Sequence, residues 1–351
     1  MELPYKLGLG GVVLILCFIL FFFDDRIFTL WRVGSQSPGA FSVQHLRSLV
    51  WRGPVSNPLR RRSIFNPSLV YDSERSRWLV IARYTRGRRI GQCLLQYLLD
   101  DDEVKLRNEL YRATMILYVF NEEFEKLSEE PVFVNKFWGT NDPLTWQGED
   151  PRIYFDEEGR VAVQATVHGR AGEIKLGRGK LVRMDGKLTW QLKRVVQSGK
   201  PQKNWAPTPK LRDGSQIFLT NVYPRWRCAT LSADGVPNLV VDQMSPVVLK
   251  GLRCTSPCRP LTDKTLLTCL HSTHPYKTYL AEICSETLLP IRVSPPLDFS
   301  PEQSYIEFAS GLEIVGDRVY IGMGINDAQS EIYLLSRGDV DGLMVIPLRM
   351  N

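Results

Sequence analysis

One short phrase recurs five times along this 351-residue chain, and its regular return confines the fold to a repetitive, sheet-rich architecture. Each copy opens on small residues or proline, runs into alternating apolar residues, breaks at an acidic or glycine turn and closes on polar or aromatic residues. The copies read Asn66-Pro67-Ser68-Leu69-Val70-Tyr71-Asp72, Glu149-Asp150-Pro151-Arg152-Ile153-Tyr154-Phe155-Asp156, Ala206-Pro207-Thr208-Pro209-Lys210-Leu211-Arg212-Asp213, Thr255-Ser256-Pro257-Cys258-Arg259-Pro260-Leu261 and Ala309-Ser310-Gly311-Leu312-Glu313-Ile314. The strands that follow end in Ala82-Arg83-Tyr84, Thr166-Val167-His168, Asn221-Val222-Tyr223, Leu270-His271-Ser272 and Gly324-Ile325-Asn326-Asp327. The first step, from Asn66 to Asp150, is 84 positions, and later copies follow at roughly 50 to 60, a period suited to the blades of a propeller. A closed ring of blades carries the equivalent edge of every copy to one central funnel. Five polar clusters far apart in sequence then become one candidate site.

The composition supports a large folded body. Apolar residues make up 44% of the chain and charged residues 23%, a globular rather than a disordered balance. Runs such as Arg160-Val161-Ala162-Val163-Gln164-Ala165 and Arg318-Val319-Tyr320-Ile321-Gly322-Met323 follow the turns Asp156-Glu157-Glu158-Gly159 and Val315-Gly316-Asp317, the signature of hairpins. The expectation is an all-β, five-bladed propeller over 63–351. Residues 91–112 interrupt it with leucines among charges, as an amphipathic helix or a long hairpin. The net charge of +6 is scattered, and its densest runs, Arg60-Arg61-Arg62 and Arg86-Gly87-Arg88-Arg89, lack a recognition helix or a stacking platform. Nucleic acid is therefore not an expected partner.

Ahead of the repeats, Leu7 to Phe23 is an uncharged, mostly apolar run of 17 residues, flanked by Lys6 and by Asp24-Asp25-Arg26. That length just reaches a membrane span. The run ends in Phe21-Phe22-Phe23 with no small-residue cleavage site, so a retained anchor is expected rather than a removed signal peptide. The division read from sequence is a cytoplasmic tail at 1–6, an anchor at 7–23, a stem or wrapping linker rich in Gly and Pro at 24–62, and the propeller beyond. This is a single-pass type II arrangement with a lumenal body in the secretory pathway, Golgi or endoplasmic reticulum. Six cysteines lie outside the span; Cys254 with Cys258 could close a small loop, and ligand spacing for zinc is poor. No metal and no cofactor are expected.

Gly148-Glu149-Asp150-Pro151-Arg152 is the sharpest local motif. A residue ahead of proline is normally held extended, which would aim Asp150 reproducibly, and Arg152 could fix the loop by pairing with a neighbouring carboxylate. Partial desolvation in a funnel favours the protonated form of a carboxylic acid, which suits general-acid work. Asn326-Asp327 offers acceptors and a donor for sugar hydroxyls, or simply a turn. Gln202-Lys203-Asn204-Trp205 combines a cation, an amide and an aromatic plate, although a tryptophan is more often core. Arg83 and His271 close strands at the same edge, where a solvated arginine and a structural histidine are the plainer readings.

Taken in order, Asn66-Pro67-Ser68, Arg83, the Gly-Glu-Asp-Pro-Arg motif, Lys203-Asn204-Trp205 with Pro207, Tyr223-Pro224, His271-Ser272, Glu307-Phe308-Ala309-Ser310-Gly311-Leu312 and Gly324-Ile325-Asn326-Asp327 resemble the β-mannoside phosphorylase family, glycoside hydrolase family 130, and its related mannosyltransferases. The resemblance spans about residues 63 to 337. It implies a five-bladed propeller with an inverting site in which Asp150 is the general acid. Arg83, Lys203 and His271 would face phosphate, while Asn66, Tyr223 and Asp327 would hold the mannose, with Asn326 beside them a further substrate-binding candidate. Two departures stand out: Cys254-Thr255-Ser256-Pro257 where the family usually has Gly-Gly-Thr-Pro, and Gln202 in place of the usual Glu. The expected activity is a membrane-anchored enzyme forming or phosphorolysing β-mannosidic linkages, with mannose 1-phosphate or a nucleotide sugar as donor. An inverting hydrolase would need a second carboxylate, from Glu307 or Asp327. A non-catalytic glycan-binding propeller would keep Trp205, Tyr223 and Asn326.

Overall fold

The computed structural model describes residues 41–54, 62–86, 114–134, 148–156, 158–168, 174–196, 203–209, 215–273, 276–299 and 306–350. The expected anchor at 7–23 and the insertion at 91–112 lie outside them. Among the described residues no helix is long and apolar enough to cross a membrane.

Nearly everything described is β-structure. After β1 (Phe41–Ser42) and β2 (Ser48–Arg52), the strands fall into five successive groups. The first holds β3 (Arg62–Asp72), β4 (Arg77–Arg86), β5 (Thr114–Phe120) and β6 (Lys126–Val134), each antiparallel to the next. The second holds β7 (Gly148–Phe155), β8 (Val161–His168), β9 (Ile174–Met184) and β10 (Lys187–Val195), again antiparallel. In the third are β11 (Ala206–Pro207), β12 (Phe218–Asn221), β13 (Arg225–Leu231) and β14 (Pro237–Met244). The fourth comprises β15 (Arg253–Cys254), β16 (Arg259–Pro260), β17 (Thr265–Thr273), β18 (Tyr276–Cys284) and β19 (Pro290–Val293), followed by β20 (Leu297–Asp298). The fifth is β21 (Glu307–Val315), β22 (Arg318–Ile325) and β23 (Gln329–Ser336). A short helix, α1 (Arg337–Leu343), and β24 (Ile346–Pro347) follow. Sequence reading gave no helix here. It forms because Ser336 and Asp339 cap it reciprocally, the Ser336 hydroxyl accepting from the Asp339 N–H at 3.0 Å.

The five groups share five cores, one between each neighbouring pair. Leu79, Ile81 and Met115 meet Ile153, Val163 and Trp190 between the first and second groups. Leu176 and Val196 meet Trp205 and Phe218 between the second and third. Trp226 and Leu219 meet Leu270 and Ile283 between the third and fourth, and Leu267 and Leu280 meet Leu312 and Ile321 between the fourth and fifth. The last core joins Tyr320 and Ile332 of the fifth group to Leu69, Trp78 and Tyr118 of the first. Period-two alternation explains this sharing. Along β22, Val319, Ile321 and Met323 face the fourth group while Tyr320 faces the first, so the strand is apolar on both sides.

The chain ends finish two of the groups. β2 adds antiparallel to β23, and Trp51 packs 5.4 Å from both the Tyr118 and Phe120 rings of the first group. Glu331, buried in the fifth group, accepts from Arg52 Nε at 2.8 Å and from the Tyr333 hydroxyl. β24 adds to β19 in the same manner. The body therefore begins near Phe41, further N-terminal than the turn-rich composition of 24–62 suggested. Within the described part of that stretch two strands pair, β1 with β20 and β2 with β23.

Close backbone approach fixes how the fifth group meets the first. A Cβ at Gly322 would lie 2.3 Å from the Pro67 carbonyl oxygen, and the Ser310 hydroxyl donates to that same oxygen at 3.0 Å. Gly322→Ala is therefore expected to cost about 1–3 kcal/mol of stability. Thermal unfolding of the variant beside the native chain tests it; an unchanged midpoint would mean that this approach is not a constraint.

Candidate active site

Three neighbouring strands carry a bulge at the same end. In β3 the register with β4 passes from Phe65↔Arg83 to Ser68↔Ile81, and in β7 the register with β8 passes from Glu149↔Thr166 to Arg152↔Gln164. Two residues thus oppose one, Asn66-Pro67 in the first case and Asp150-Pro151 in the second. β21 shifts likewise between Ala309 and Gly311. Asn66 and Asp150 both take left-handed backbone, at φ 54° and 50°, as do Asn204 at 59°, Asn326 at 54° and Asp327 at 52°. Asn and Asp are the residues that tolerate this region, because their short side chains bond locally. Asp150 is thus not held extended by Pro151, as expected from sequence; the bulge overrides the proline effect and re-aims the carboxylate.

The re-aimed side chains converge. Asn66 Nδ2 donates to Asp150 Oδ1 at 2.7 Å, and Arg83 donates through one terminal nitrogen to the same oxygen at 3.3 Å. Its other terminal nitrogen bonds Glu149 Oε1, and Lys203 Nζ stands 3.8 Å from Glu149 Oε2. In a regular strand Glu149 and Asp150 would point to opposite faces; the bulge lets both reach one guanidinium. Arg83 has a side chain only 6% exposed and lies 5.0 Å over the Phe65 ring. Burial works against its charge, but Asp150, Glu149 and Asp327 outweigh it and hold the guanidinium above its ordinary value.

Arg152 stiffens the far side. It is fully buried and donates to the Thr255 carbonyl at 2.5 Å, to the carbonyl of Asp150 at 2.5 Å and to Asn204 Oδ1 at 3.1 Å. It therefore secures the bulge through backbone and amide oxygens, not through the carboxylate pair expected. Burial lowers this guanidinium to about 10, with Asp150 and Cys254 opposing, so it stays charged at neutral pH. Thr255 Oγ1 lies 2.6 Å from His271 Nδ1. Burial first, then the fields of Arg152 and Arg253, push His271 down to about 3, with Asp150 opposing. His271 is neutral at physiological pH.

Asn66, Arg83 and Asp150 meet directly, and Lys203 joins them through Glu149. Asp327 is near enough to act on the Arg83 charge, and His271 is tied in through Thr255 and Arg152. Asn326 extends the pairing of β22 with β21, its N–H donating to the Ile306 carbonyl at 3.0 Å and its side-chain oxygen accepting from the Ile306 N–H at 3.2 Å. Glu307 is buried and accepts from the Phe299 N–H at 3.0 Å. Tyr223 precedes a cis proline, and its carbonyl accepts from the Asn221 side chain at 3.2 Å; among the described residues no side-chain hydrogen bond or ion pair carries it into the cluster. Trp205 is core, its ring 6.2 Å from Phe218. It offers no plate to a sugar. Cys254 and Cys258 are buried free thiols, not a disulfide. Glu149, Asn204 and Thr255 went unassigned, although each sits within or beside a quoted motif.

No family model matches the chain, and no curated relative does. Solved structures do. The β-1,2-mannobiose phosphorylase of Listeria innocua, in complex with β-1,2-mannobiose, superposes with a TM-score of 0.54 at 10% identity, covering 87% of this chain and 98% of its own. A second, reported with the finding that the GH130 family of mannoside phosphorylases contains glycoside hydrolases targeting β-1,2-mannosidic linkages in Candida mannan, gives 0.50 at 14% identity, over 86% and 92% of the two chains. The structural neighbours are GH130 mannoside phosphorylases. The likeness covers 87% and 86% of this chain, so the nearly all-β body is a fold shared with these proteins.

The Asn66–Asp150 bond generates a test. A Cβ at Gly324 would fall 1.8 Å from Asn66 Oδ1, so Gly324→Ala must displace the amide that Asn66→Ala removes. A hydrogen bond to a charged group contributes about 1.5–3 kcal/mol. Each variant should therefore lose turnover on the order of tenfold to a hundredfold while remaining folded by circular dichroism. The double variant should lose little more than either single one; fully additive losses would separate Gly324 from Asn66.

Proposed function

We propose that this chain acts on β-mannosidic linkages with inversion at the anomeric carbon, Asp150 serving as general acid/base. The observation that carries this reading is the convergence of Asn66, Arg83 and Glu149 around Asp150 through bulges in two adjacent strands. Strained, left-handed Asn and Asp residues gathered at one end of several strands are a pattern of functional sites. Asp150 keeps 14% of its side chain exposed, enough to meet a substrate oxygen. The mannose-containing substrate and the sugar-phosphate or nucleotide-sugar donor are carried over from the neighbouring fold and belong to this proposal.

We further propose that the five groups are the blades of a propeller with this site at its central funnel. The five shared cores, the last of which joins the fifth group to the first, support that arrangement. So do the contacts among inner strands, such as the Ile153 N–H donating to Ser68 Oγ at 3.1 Å and Arg259 donating to the Ile153 carbonyl at 3.2 Å. An experimental map with an open seam between the fifth and first groups would rule the ring out. The glycan-binding alternative loses one of its three supports, because Trp205 is buried in the core.

The apolar run at 7–23 supports membrane anchoring of the full chain, with the body on the lumenal side. Alkaline extraction should leave the protein in the membrane pellet, and its release into the wash would count against an anchor.

Activity is tested with the full chain in detergent on a panel of β-mannosides, with proton NMR of the first product. Inversion predicts an initial α-configured product. Asp150→Asn should cut turnover by about 10²–10⁴, the usual contribution of a positioned general acid. Full activity in that variant would remove Asp150 from the mechanism.

A further inference from the structure

We propose that this chain pairs with a second copy of itself through the open outer edge of the third group. There β14 meets the same strand of the copy, antiparallel, about a twofold axis near Asp242.

The outer edges of the other four groups are covered, charged or short. β6 of the first group and β10 of the second meet side by side at Thr189↔Phe133 and Trp190↔Val134. Beyond that joint β6 carries Lys126, Glu129, Glu130 and Pro131, and β10 carries Lys187 and Lys193. β24 covers β19 and β2 covers β23; at two and five residues they leave little edge of their own. β14 is eight residues long and is the last strand of its sheet. Among the described residues no strand pairs with its outer side. Backbone groups along such an edge are a template for another strand, and natural edges are commonly defended by lysine or unpaired charge. Asp242 is the only charge on β14, and Arg225 and Arg227 hold it through Nε at 2.5 and 3.0 Å. A bulge at Val240 twists the strand but leaves Val241–Met244 in regular register with β13.

The apolar side chains argue for a copy of this chain as the occupant. Val236, Leu239, Val240 and Met244 are exposed, as are Val247 and Val248 on the turn that follows, Val247 by 76%. Exposed apolar residues gathered in one patch mark a contact surface. These six fall on both sides of Asp242. Antiparallel pairing about that residue sets Val236 against Val248 of the copy and Val240 against Met244, with Leu239 and Val247 alongside. A foreign segment would need to match this spacing; a second copy has it by symmetry. Charge agrees. The two Asp242 carboxylates come together at the axis, and each brings its own pair of guanidiniums, which removes the repulsion between them. Such a contact uses the same patch on both partners and closes at the dimer. Asn66 and Asp150 lie on β3 and β7, the first strands of their groups, so pairing at β14 engages no residue of the candidate active site.

The test is sedimentation velocity on the full chain in detergent, at concentrations up to about 100 μM. A contact of this modest extent predicts a monomer–dimer equilibrium in the micromolar range. Val240→Lys or Met244→Lys, each at an exposed position, should weaken it about tenfold or more by setting cations across the axis. Leu127→Lys, exposed on β6, should leave it unchanged. Chains bearing Val240→Cys mixed with chains bearing Met244→Cys should form an intermolecular disulfide several times faster than either variant alone. Equal rates would overturn the axis at Asp242. A monomer throughout the range, a dimer that both lysine variants leave intact, or an open-ended series of larger species would each overturn the proposal. So would a monomer whose β14 amides are protected from hydrogen exchange, because another segment would then cover the edge.

Discussion

The buried guanidinium of Arg83 is the constraint around which the site is arranged. A charge removed from water is tolerable only when partners surround it. Here they come from another group of strands, Glu149 and Asp150 on β7, with Asp327 beyond β22 adding its field. No single hairpin could supply them. The pairing therefore ties the first, second and fifth groups to one arrangement, and a slip of one residue in β7 would leave Arg83 unpaired. Two departures from regular strand geometry make the pairing possible, the bulges at Asn66-Pro67 and Asp150-Pro151. The left-handed backbone at each is a local cost, tolerated because Asn and Asp bear it best and because Arg152 and the approach of Gly324 brace the loops from outside.

Much of this was legible from residue order. The 84-position return of an Asn-Pro or Asp-Pro step picked out the two strands that prove to be bulged, whereas Arg83, read as a clamp for an anion or hydroxyl, is bonded to Glu149 and Asp150. What pattern reading missed follows from one physical fact: alternation assigns neighbouring residues to opposite faces. Glu149 was passed over beside Asp150 for that reason, although the bulge turns both to Arg83. The proline rule failed at Asp150 for the same reason, since it describes regular backbone. Trp205 was legible only as either plate or core, and burial against Leu176 and Phe218 decided for core. Residues 41–52 looked like part of a linker because they are short and flanked by Gly34, Pro38 and Gly39 on one side and Gly53, Pro54 and Pro58 on the other. Strand pairing over a separation of 279 residues, as between Arg52 and Glu331, leaves no local trace.

The two ends of the chain also explain how the body holds together. β2 and β24 each complete a group whose other strands lie far away in sequence, so the final pairings join the beginning of the body to its end. Trp51 binds this closure into the core shared by the fifth and first groups, where Trp78, Phe124 and Tyr320 stack within 6 Å of one another. Rings of this kind bury large apolar area without demanding a helix or a disulfide, which suits the free buried thiols of the third and fourth groups. Burial pushes Cys228, Cys254, Cys258 and Cys269 upward and leaves them protonated and inert. Their part is packing.

Closure also bears on chemistry. A site assembled from strands of separate groups inherits the rigidity of every core between them, so its carboxylates and cations sit where the bulges place them and have little freedom to regroup around a ligand. Charge in such a site has to be matched before the substrate arrives. The pairing of Glu149 and Asp150 with Arg83 is such a match, made between two groups of strands before any substrate enters.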